Sequence, residues 1–547
     1  MVTLTLVAAL LVAVLAWRAS RADAPAPGRL LGALESRTAV IVVFAVTFVM
    51  LWCAWAAWSP IPTVHDEMAY VLQSQIFARG RWTIPSPALP LFFEQPYVLV
   101  EPALASKYFP GHSLLLTIGA LVGWPALMPL MLQGGAACLL FVLARRVANG
   151  AVALLAWGIW LTSPIVLANG PTFYSEATTT VCWLAGWYAL LEWRAGHRLP
   201  WLLAVAVCTG WISITRPLTA VAYAIPIALV VVHDVGRQRR WRDLALAMGV
   251  GIAVLAIIPL WSAKTTGDWR LTPLMLYTRN YMPYDLPGFG LITTPPTRVL
   301  NAEFLKLNDV FIAFHLNHYP STLLGTFLSR VHFLAAGVWG LSRNVYMVFA
   351  LLGLLTLTRV TAFAVASSVL LLLVYLSFGT PSTWTLYYYE SVAAYAYLTA
   401  AGMAWTAARV GRRRRTSHAE PGRWRSPEWA PALVAGALML WLPGLAALRT
   451  FRWQHERGRE HLTRFERVMR AIPDERAVLF VRYGPAHSPH HTFVRNSADP
   501  AAQRLWVVYD RGAKENARLL ALAPDRVPYL FDEERNVVQR GISTPWR

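Results

Sequence analysis

The stretch AVIVVFAVTFVMLWCAWAAWSPIPTVHDEMAYVLQSQIFARG, residues 39–80, runs from an apolar segment straight into two adjacent acids, Asp66 and Glu67. The apolar part, which ends at Trp58, is close to the ~20 residues that cross a bilayer as a helix. Similar runs recur at 2–17, 125–144, 151–167, 177–192, 200–216, 217–233, 244–262, 344–358, 361–378, 388–408 and 429–448. Of the 547 residues, 56% are hydrophobic and 14% are charged, against roughly 25% charged in a soluble chain. These features predict an all-α polytopic membrane protein with about 11–13 transmembrane helices.

The net charge is +20, but the basic residues gather in short loops between apolar runs, such as 144–150, 193–198, 236–243 and 409–425. Basic short loops stay on the cytoplasmic side. The charge therefore sets orientation, and no nucleic-acid partner is implied. Alternation from that rule puts loops 59–124, 168–176, 263–322 and 379–390 on the outer face of the cytoplasmic membrane. The segments 111–124 and 323–341 are read as re-entrant or interfacial. Three domains follow: an N-terminal helix and loop (1–38), a membrane domain (39–448) with its first outer loop at 59–124, and a terminal domain (449–547). In the last, short apolar runs at 477–483, 505–510 and 527–531 surround a helical pattern at 513–522. That pattern predicts a small soluble α/β domain on the outer side.

The acids are the question. Thr63 followed three residues later by Asp66 fits a capping box at a helix start, with Met68, Val71, Leu72 and Ile76 on the apolar face and Gln73 and Arg79 off it. Capping does not need Glu67, nor Glu176 in the next outer turn, NGPTFYSEATTT (169–180). Acids at a membrane boundary are functional candidates, and one there could act as general base toward a hydroxyl. The chain has only four lysines. Lys107, in EPALASKYFPGHSLLL (101–116), sits at headgroup level and could bind a phosphate; Arg216, between two apolar runs, is the second candidate. YTRNYMPYDLPG (277–288) and WTLYYYE (384–390) add aromatic and hydroxyl groups. HLNH (315–318) and AHSPHH (486–491) lack partner ligands at a recognised spacing. They read as solvated loop histidines, and neither metal nor cofactor is expected. The four cysteines lie apart inside apolar runs and read as packing residues.

The run HDEMAYVLQSQIFARGRWTIPSP, then FFE, then SKYFPGHSLLL, resembles the N-terminal third of GT-C superfamily membrane glycosyltransferases, among them bacterial relatives of protein O-mannosyltransferases and lipid A aminoarabinose transferases. The resemblance extends to ARRVANGAVALLAWGIWLTSPIVLANGPTFYSE, YYYESVAAYAYLTAAGMAW and the tail YDRGAKENARLLALAPDRVPYLF. It implies Asp66 as catalytic base with Glu67 beside it, Glu176 as the second acid, and Lys107 on the donor phosphate with Arg216 in support. His65, Tyr108, His112, Tyr388 and Glu390 are assigned to the substrate cavity. The chain departs from the family pattern with Glu at 176 and Phe109 where proline is common. The implied activity is inverting transfer of a sugar from a polyprenyl phosphate in the bilayer to a glycan, lipid or protein hydroxyl. A transporter or flippase of lipid-linked or sugar substrates is the alternative. Such proteins carry ionisable groups near the midplane and matching broken helices in two halves, whereas these acids cluster at one face in one half.

Overall fold

The computed structural model describes residues 32–58, 62, 64–340, 346–359, 361–415, 460 and 462–541. The apolar runs expected at 2–17 and 429–448, Thr63 with its capping box, and the loop from 416 onward lie outside these residues. Within them the apolar runs form helices close to where the sequence puts them: Arg37–Trp58, Leu127–Val147, Gly150–Leu161 with Pro164–Asn169, Glu176–Gly196, Leu199–Ser213, Pro217–Gln238 and Ala362–Tyr375. Trp241–Leu255 and Ile257–Thr266 follow one another along one continuous apolar stretch. Among the described residues, three helical stretches are long and apolar enough to span a bilayer: 127–147, 217–238 and 241–266.

The interior is one large apolar core in which Trp160, Trp183, Trp193 and Tyr223 are fully buried. The exterior is apolar as well. Leu229 is 68% exposed, Ile252 62% and Met248 57%. A helix apolar on both its packed and its free face suits a hydrocarbon solvent rather than water. Small residues bring helices together where side chains would hold them apart. A Cβ at Gly402 would overlap the Phe349 carbonyl, and one at Gly353 would overlap that of Leu398, so Tyr346–Gly353 packs backbone to backbone against Val392–Arg415.

The segment 323–341 contains the helix Leu323–Trp339, and its arginine faces inward. Arg330 is 1% exposed. It donates to the carbonyls of Tyr375 (2.5 Å), Phe378 (2.7 Å) and Thr380 (3.1 Å), and to the Tyr388 hydroxyl (3.1 Å). The last carbonyls of a helix have no partner within it, and a cation at that end also meets the negative pole of its dipole. Arg330 thus closes the end of Ala362–Tyr375 and ties it to the Thr385–Ser391 turn.

Small sheets sit beyond the helix ends. Between the helices His65–Ala78 and Gly111–Leu121, β1 (Ile84–Pro85), β2 (Val98–Leu99) and β3 (Ala103–Ser106) pair antiparallel in the order β1-β3-β2. The terminal domain holds β4 (Ala477–Arg482), β5 (Leu505–Tyr509), β6 (Val527–Asp532) and β7 (Val537–Arg540), ordered β5-β4-β6-β7, with β4 parallel to β5 and β6 and β7 antiparallel. The expected runs became strands, and Ala513–Ala521 is the crossover helix that a parallel β5–β6 connection needs. β4 is buried along Ala477–Val481, as a central parallel strand should be. The expectation missed β7, whose VVQR is partly exposed and carries no buried face.

The terminal domain is docked. Phe92 of the first outer loop enters its core beside Val478, Phe480, Val508 and Leu530. Asn496 donates its side-chain amide to the Phe93 carbonyl (2.8 Å), and its backbone N–H to Gln95 Oε1 (2.8 Å). One arginine should test the helical half of this arrangement. Arg330→Met fills the volume but leaves buried carbonyls unpaired, at roughly 1–3 kcal/mol each. The expected outcome is a fall in thermal midpoint corresponding to about 3 kcal/mol or more, measured in detergent or nanodiscs.

Candidate active site

The helix His65–Ala78 carries both Asp66 and Glu67 in its first turn. It is buried on more than its apolar face. Gln73, expected off the apolar face, is 1% exposed. Its amide donates to the Trp82 carbonyl (2.9 Å) and accepts from the Ser106 N–H (3.0 Å), so both ends are spent fixing β3 and the lysine that follows it.

Asp66 and Glu67 part company at once. Consecutive helical residues point about 100° apart. Glu67 turns inward, 4% exposed, and accepts the Phe173 N–H at 3.0 Å. It fixes the turn that precedes Glu176. Asp66 stays half-buried and accepts the Tyr108 hydroxyl on Oδ1 at 2.5 Å. Tyr108 is itself stacked on Tyr70, centroids 4.6 Å apart.

Lys107 lies next door, buried under aromatic rings. Its Nζ is 3.6 Å from the Tyr97 centroid, 5.0 Å from that of Tyr277 and 5.2 Å from that of Tyr108, all within cation–π range. Its carboxylate is Asp285, with Oδ2 at 3.9 Å, beyond hydrogen-bond length. Burial pushes the ammonium pKa down, and the charges of Asp285 and then Asp66 oppose that. Burial pushes the Asp285 carboxyl up, against the pull of Lys107. Tyr97 pays a conformational cost to make this cage. Its φ is 66°, a left-handed value worth about 1–3 kcal/mol of strain for such a residue. It is held there by its N–H donated to the Tyr277 hydroxyl (2.9 Å) and its carbonyl accepting the Lys107 N–H (3.0 Å).

Arg216 and Glu176 form a buried ion pair. Arg216 also donates to the Tyr375 hydroxyl (3.0 Å) and to Thr219 Oγ1 (3.2 Å), and its guanidinium is 5.5 Å from the Tyr387 ring. Glu390 is fully buried nearby and accepts from the Thr179 hydroxyl; its other oxygen has no partner among the described residues. Tyr387 links the two halves of the site. Burial raises its phenol well up, and the charges of Asp66 and Asp285 raise it further while Arg216 lowers it.

Of the residues read from the sequence, the structure brings Asp66, Lys107, Tyr108, Glu176, Arg216 and Glu390 to one place. Glu67 is a neighbour with a backbone duty. His112 is fully buried, bonded through Nε2 to the Phe173 carbonyl (2.8 Å) and through Nδ1 to Thr178 Oγ1 (2.8 Å), and pins the same turn. Tyr388 belongs to the Arg330 cluster. Of the histidines expected to be solvated, His490 and His491 are partly exposed and the other three are buried. His315 and His318 are buried, and His487 lies between Glu303 (3.3 Å) and Glu533 (2.8 Å). Loop composition gives no hint of a loop docked beneath a second domain. Sequence reasoning missed Asp285, Tyr97 and Tyr277. The motif 277–288 held two of them, but nothing in its spacing pointed to Lys107.

Residues 108–262 match the family described as dolichyl-phosphate-mannose-protein mannosyltransferase. The match begins at Tyr108 and takes in Glu176 and Arg216. No curated protein matches the chain. Among solved structures, ArnT from Cupriavidus metallidurans bound to undecaprenyl phosphate aligns at 14% identity, covering 91% of this chain and 94% of that one, with a TM-score of 0.48. The apo state of the same protein aligns at 14% identity over 90% and 93%, with a TM-score of 0.49. The Archaeoglobus fulgidus oligosaccharyltransferase tethered to an acceptor peptide aligns at 13% identity over 90% and 69%, with a TM-score of 0.47.

The two adjacent acids can be told apart by experiment. Glu67→Ala strands the buried Phe173 N–H and should cost about 1–3 kcal/mol of stability. Asp66→Ala removes only an acceptor for a phenol at a half-exposed position and should leave the thermal midpoint near wild type. Equal loss of stability in both variants would show that Asp66, too, is structural.

Proposed function

We propose that this protein is a membrane glycosyltransferase that moves a sugar from a polyprenyl phosphate to a hydroxyl acceptor at the outer face of the cytoplasmic membrane. The observation that carries the reading is a half-exposed carboxylate, Asp66, beside a buried ammonium, Lys107, at the end of an apolar helical domain. The family match over residues 108–262 supports it.

Each group has a task in that chemistry. The acceptor hydroxyl loses its proton to Asp66 as its oxygen bonds to the anomeric carbon. The bond from that carbon to the phosphate oxygen breaks, and the phosphate leaves with the electron pair. Negative charge then grows on the leaving group, where a preorganised cation in a dry site is worth most. Lys107 suits the task because the carboxylate paired with it, Asp285 at 3.9 Å, is too distant to occupy it fully. Arg216 is committed to Glu176, Tyr375 and Thr219; it takes part by holding the Glu176 side of the site and contributes positive charge to the same cleft. One displacement gives inversion at the anomeric carbon. The hydroxyls of Tyr108 and Tyr387 and the carboxyl of Glu390 line the space for the sugar. The acceptor is a glycan, lipid or protein, and the lipid is undecaprenyl in a bacterial setting. The proposed domain limits are 1–38, 39–448 and 449–547.

A transporter reading finds less support. The charged groups sit together at one end of the helices rather than along a midplane path.

Transfer from a purified polyprenyl-phosphate sugar in nanodiscs tests the proposal. Asp66→Asn should lower the rate by about 10²–10⁴-fold with the fold intact. Lys107→Ala should weaken the dependence on donor, and Lys107→Arg should restore part of it, since arginine also pairs with phosphate but with a different shape. Retained transfer in Asp66→Asn would remove it as the base. Orientation has its own test, in a background with Cys53 replaced. An impermeant thiol reagent applied to intact cells should label Arg81→Cys and Glu534→Cys but not Arg237→Cys, three exposed positions. Labelling of Arg237→Cys alone would reverse the topology.

A further inference from the structure

The terminal domain sends one strap, Gly484–His491, into the site. It is held at its root on every side. Gly484 N–H donates to Glu533 Oε2 (3.0 Å), and Lys306 Nζ donates to the Pro485 carbonyl (2.6 Å). His487 lies between Glu303 and Glu533 and stacks on Tyr483, centroids 3.9 Å apart. Burial works against a charge on this imidazole, but the two glutamates outweigh it and raise its pKa. Glu303, fully buried, also accepts from Thr492 (3.2 Å) and Tyr509.

So anchored, the strap ends on His65, the residue before Asp66. The Pro489 carbonyl is 2.5 Å from His65 Nε2, and the His490 ring stacks over His65 at 6.2 Å. A carbonyl only accepts, so Nε2 must carry the proton. Burial lowers the His65 pKa to about 4, which leaves the ring neutral and Nδ1 bare. Nδ1 is fully buried and has no partner among the described residues. A buried acceptor left without a donor costs about 1–3 kcal/mol, and the ring cannot flip without giving up the Pro489 bond. His65 meets the Lys107 cage edge-on through Tyr97, centroids 5.5 Å apart.

We propose that the strap is part of the substrate site: Pro489 holds His65 in the Nε2–H tautomer so that Nδ1 accepts a hydrogen bond from a substrate hydroxyl. The inference rests on the glycosyltransferase reading and deepens it. The hydroxyl belongs either to the donor sugar or to the incoming acceptor; both offer the same chemistry. His65 is then a binding residue, and the strap is the element that positions it. The terminal domain completes the site instead of merely covering it.

Two substitutions separate the two ring nitrogens. In His65→Gln the side-chain amide can reach the Nε2 place and keep the Pro489 bond, but nothing stands at Nδ1. In His65→Asn the shorter amide can put its oxygen near Nδ1 but cannot reach Pro489. Both are compared with wild type in nanodiscs, by thermal midpoint, by stabilisation with undecaprenyl phosphate, and by initial rate against polyprenyl-phosphate-sugar concentration. His65→Gln should keep its midpoint and its response to undecaprenyl phosphate while losing about tenfold or more in rate, the scale of one lost hydrogen bond. His65→Asn should recover part of the rate despite a lower midpoint. A raised KM for the sugar donor assigns the hydroxyl to the donor; a reduced rate at saturating donor with KM unchanged assigns it to the acceptor. A wild-type rate in His65→Gln overturns the proposal. So does a His65→Asn variant that is folded but no better than His65→Gln, which would leave His65 only a dock for the strap. An inert wild-type protein, in contrast, would sink the glycosyltransferase reading itself.

Discussion

A buried ammonium has to be compensated, and the segments packed around Lys107 are arranged to meet that requirement. Taking a charge out of water costs several kcal/mol unless other groups replace the lost hydration. Lys107 has three aromatic faces and one loosely placed carboxylate, Asp285, in place of water. The compensation comes from segments far apart in sequence: Tyr97 and Tyr108 flank the lysine, and Tyr277 and Asp285 arrive from a later loop. Tyr97 accepts backbone strain to serve. The result is a cation that is held in place by rings and one carboxylate at 3.9 Å.

Arg216 presents the opposite solution. It is equally enclosed but fully engaged, by Glu176, Tyr375 and Thr219. Removing one partner of such a pair leaves the other as an uncompensated buried charge. The two cations therefore have different uses. Lys107 is held mainly by aromatic rings, and Arg216 ties helix ends together through direct polar contacts. Arg330 carries the structural use furthest, with its guanidinium spent on carbonyls at one helix end.

The terminal sheet is joined to this arrangement through both apolar and polar contacts. Phe92 enters its core, and Glu303 collects a histidine, a threonine and a tyrosine from it. These contacts fix the height of the strap above the site. A hinged domain would be expected to meet its neighbour through a thin polar interface; here a buried carboxylate and a buried phenylalanine hold the two parts as one body.

Sequence alone determined the helices, because apolar runs of that length leave the backbone few other ways to satisfy its hydrogen bonds. It also determined the strands β4, β5 and β6 with their crossover helix, since short apolar runs broken by turn residues carry that pattern locally. Asp66, Lys107 and Glu176 were legible because charge is rare in this chain, and a rare residue stands out wherever it falls. Tertiary structure alone decided the rest. It turned Glu67 toward a backbone N–H while its neighbour stayed accessible, buried Gln73 on a face that looked polar, and chose Asp285 from a distant loop to face Lys107. It also buried His315, His318 and His487. Periodicity along a chain reports which face of an element is apolar, but not which remote segment packs against it. Ion pairing, histidine tautomers and the fate of buried polar groups all depend on that packing.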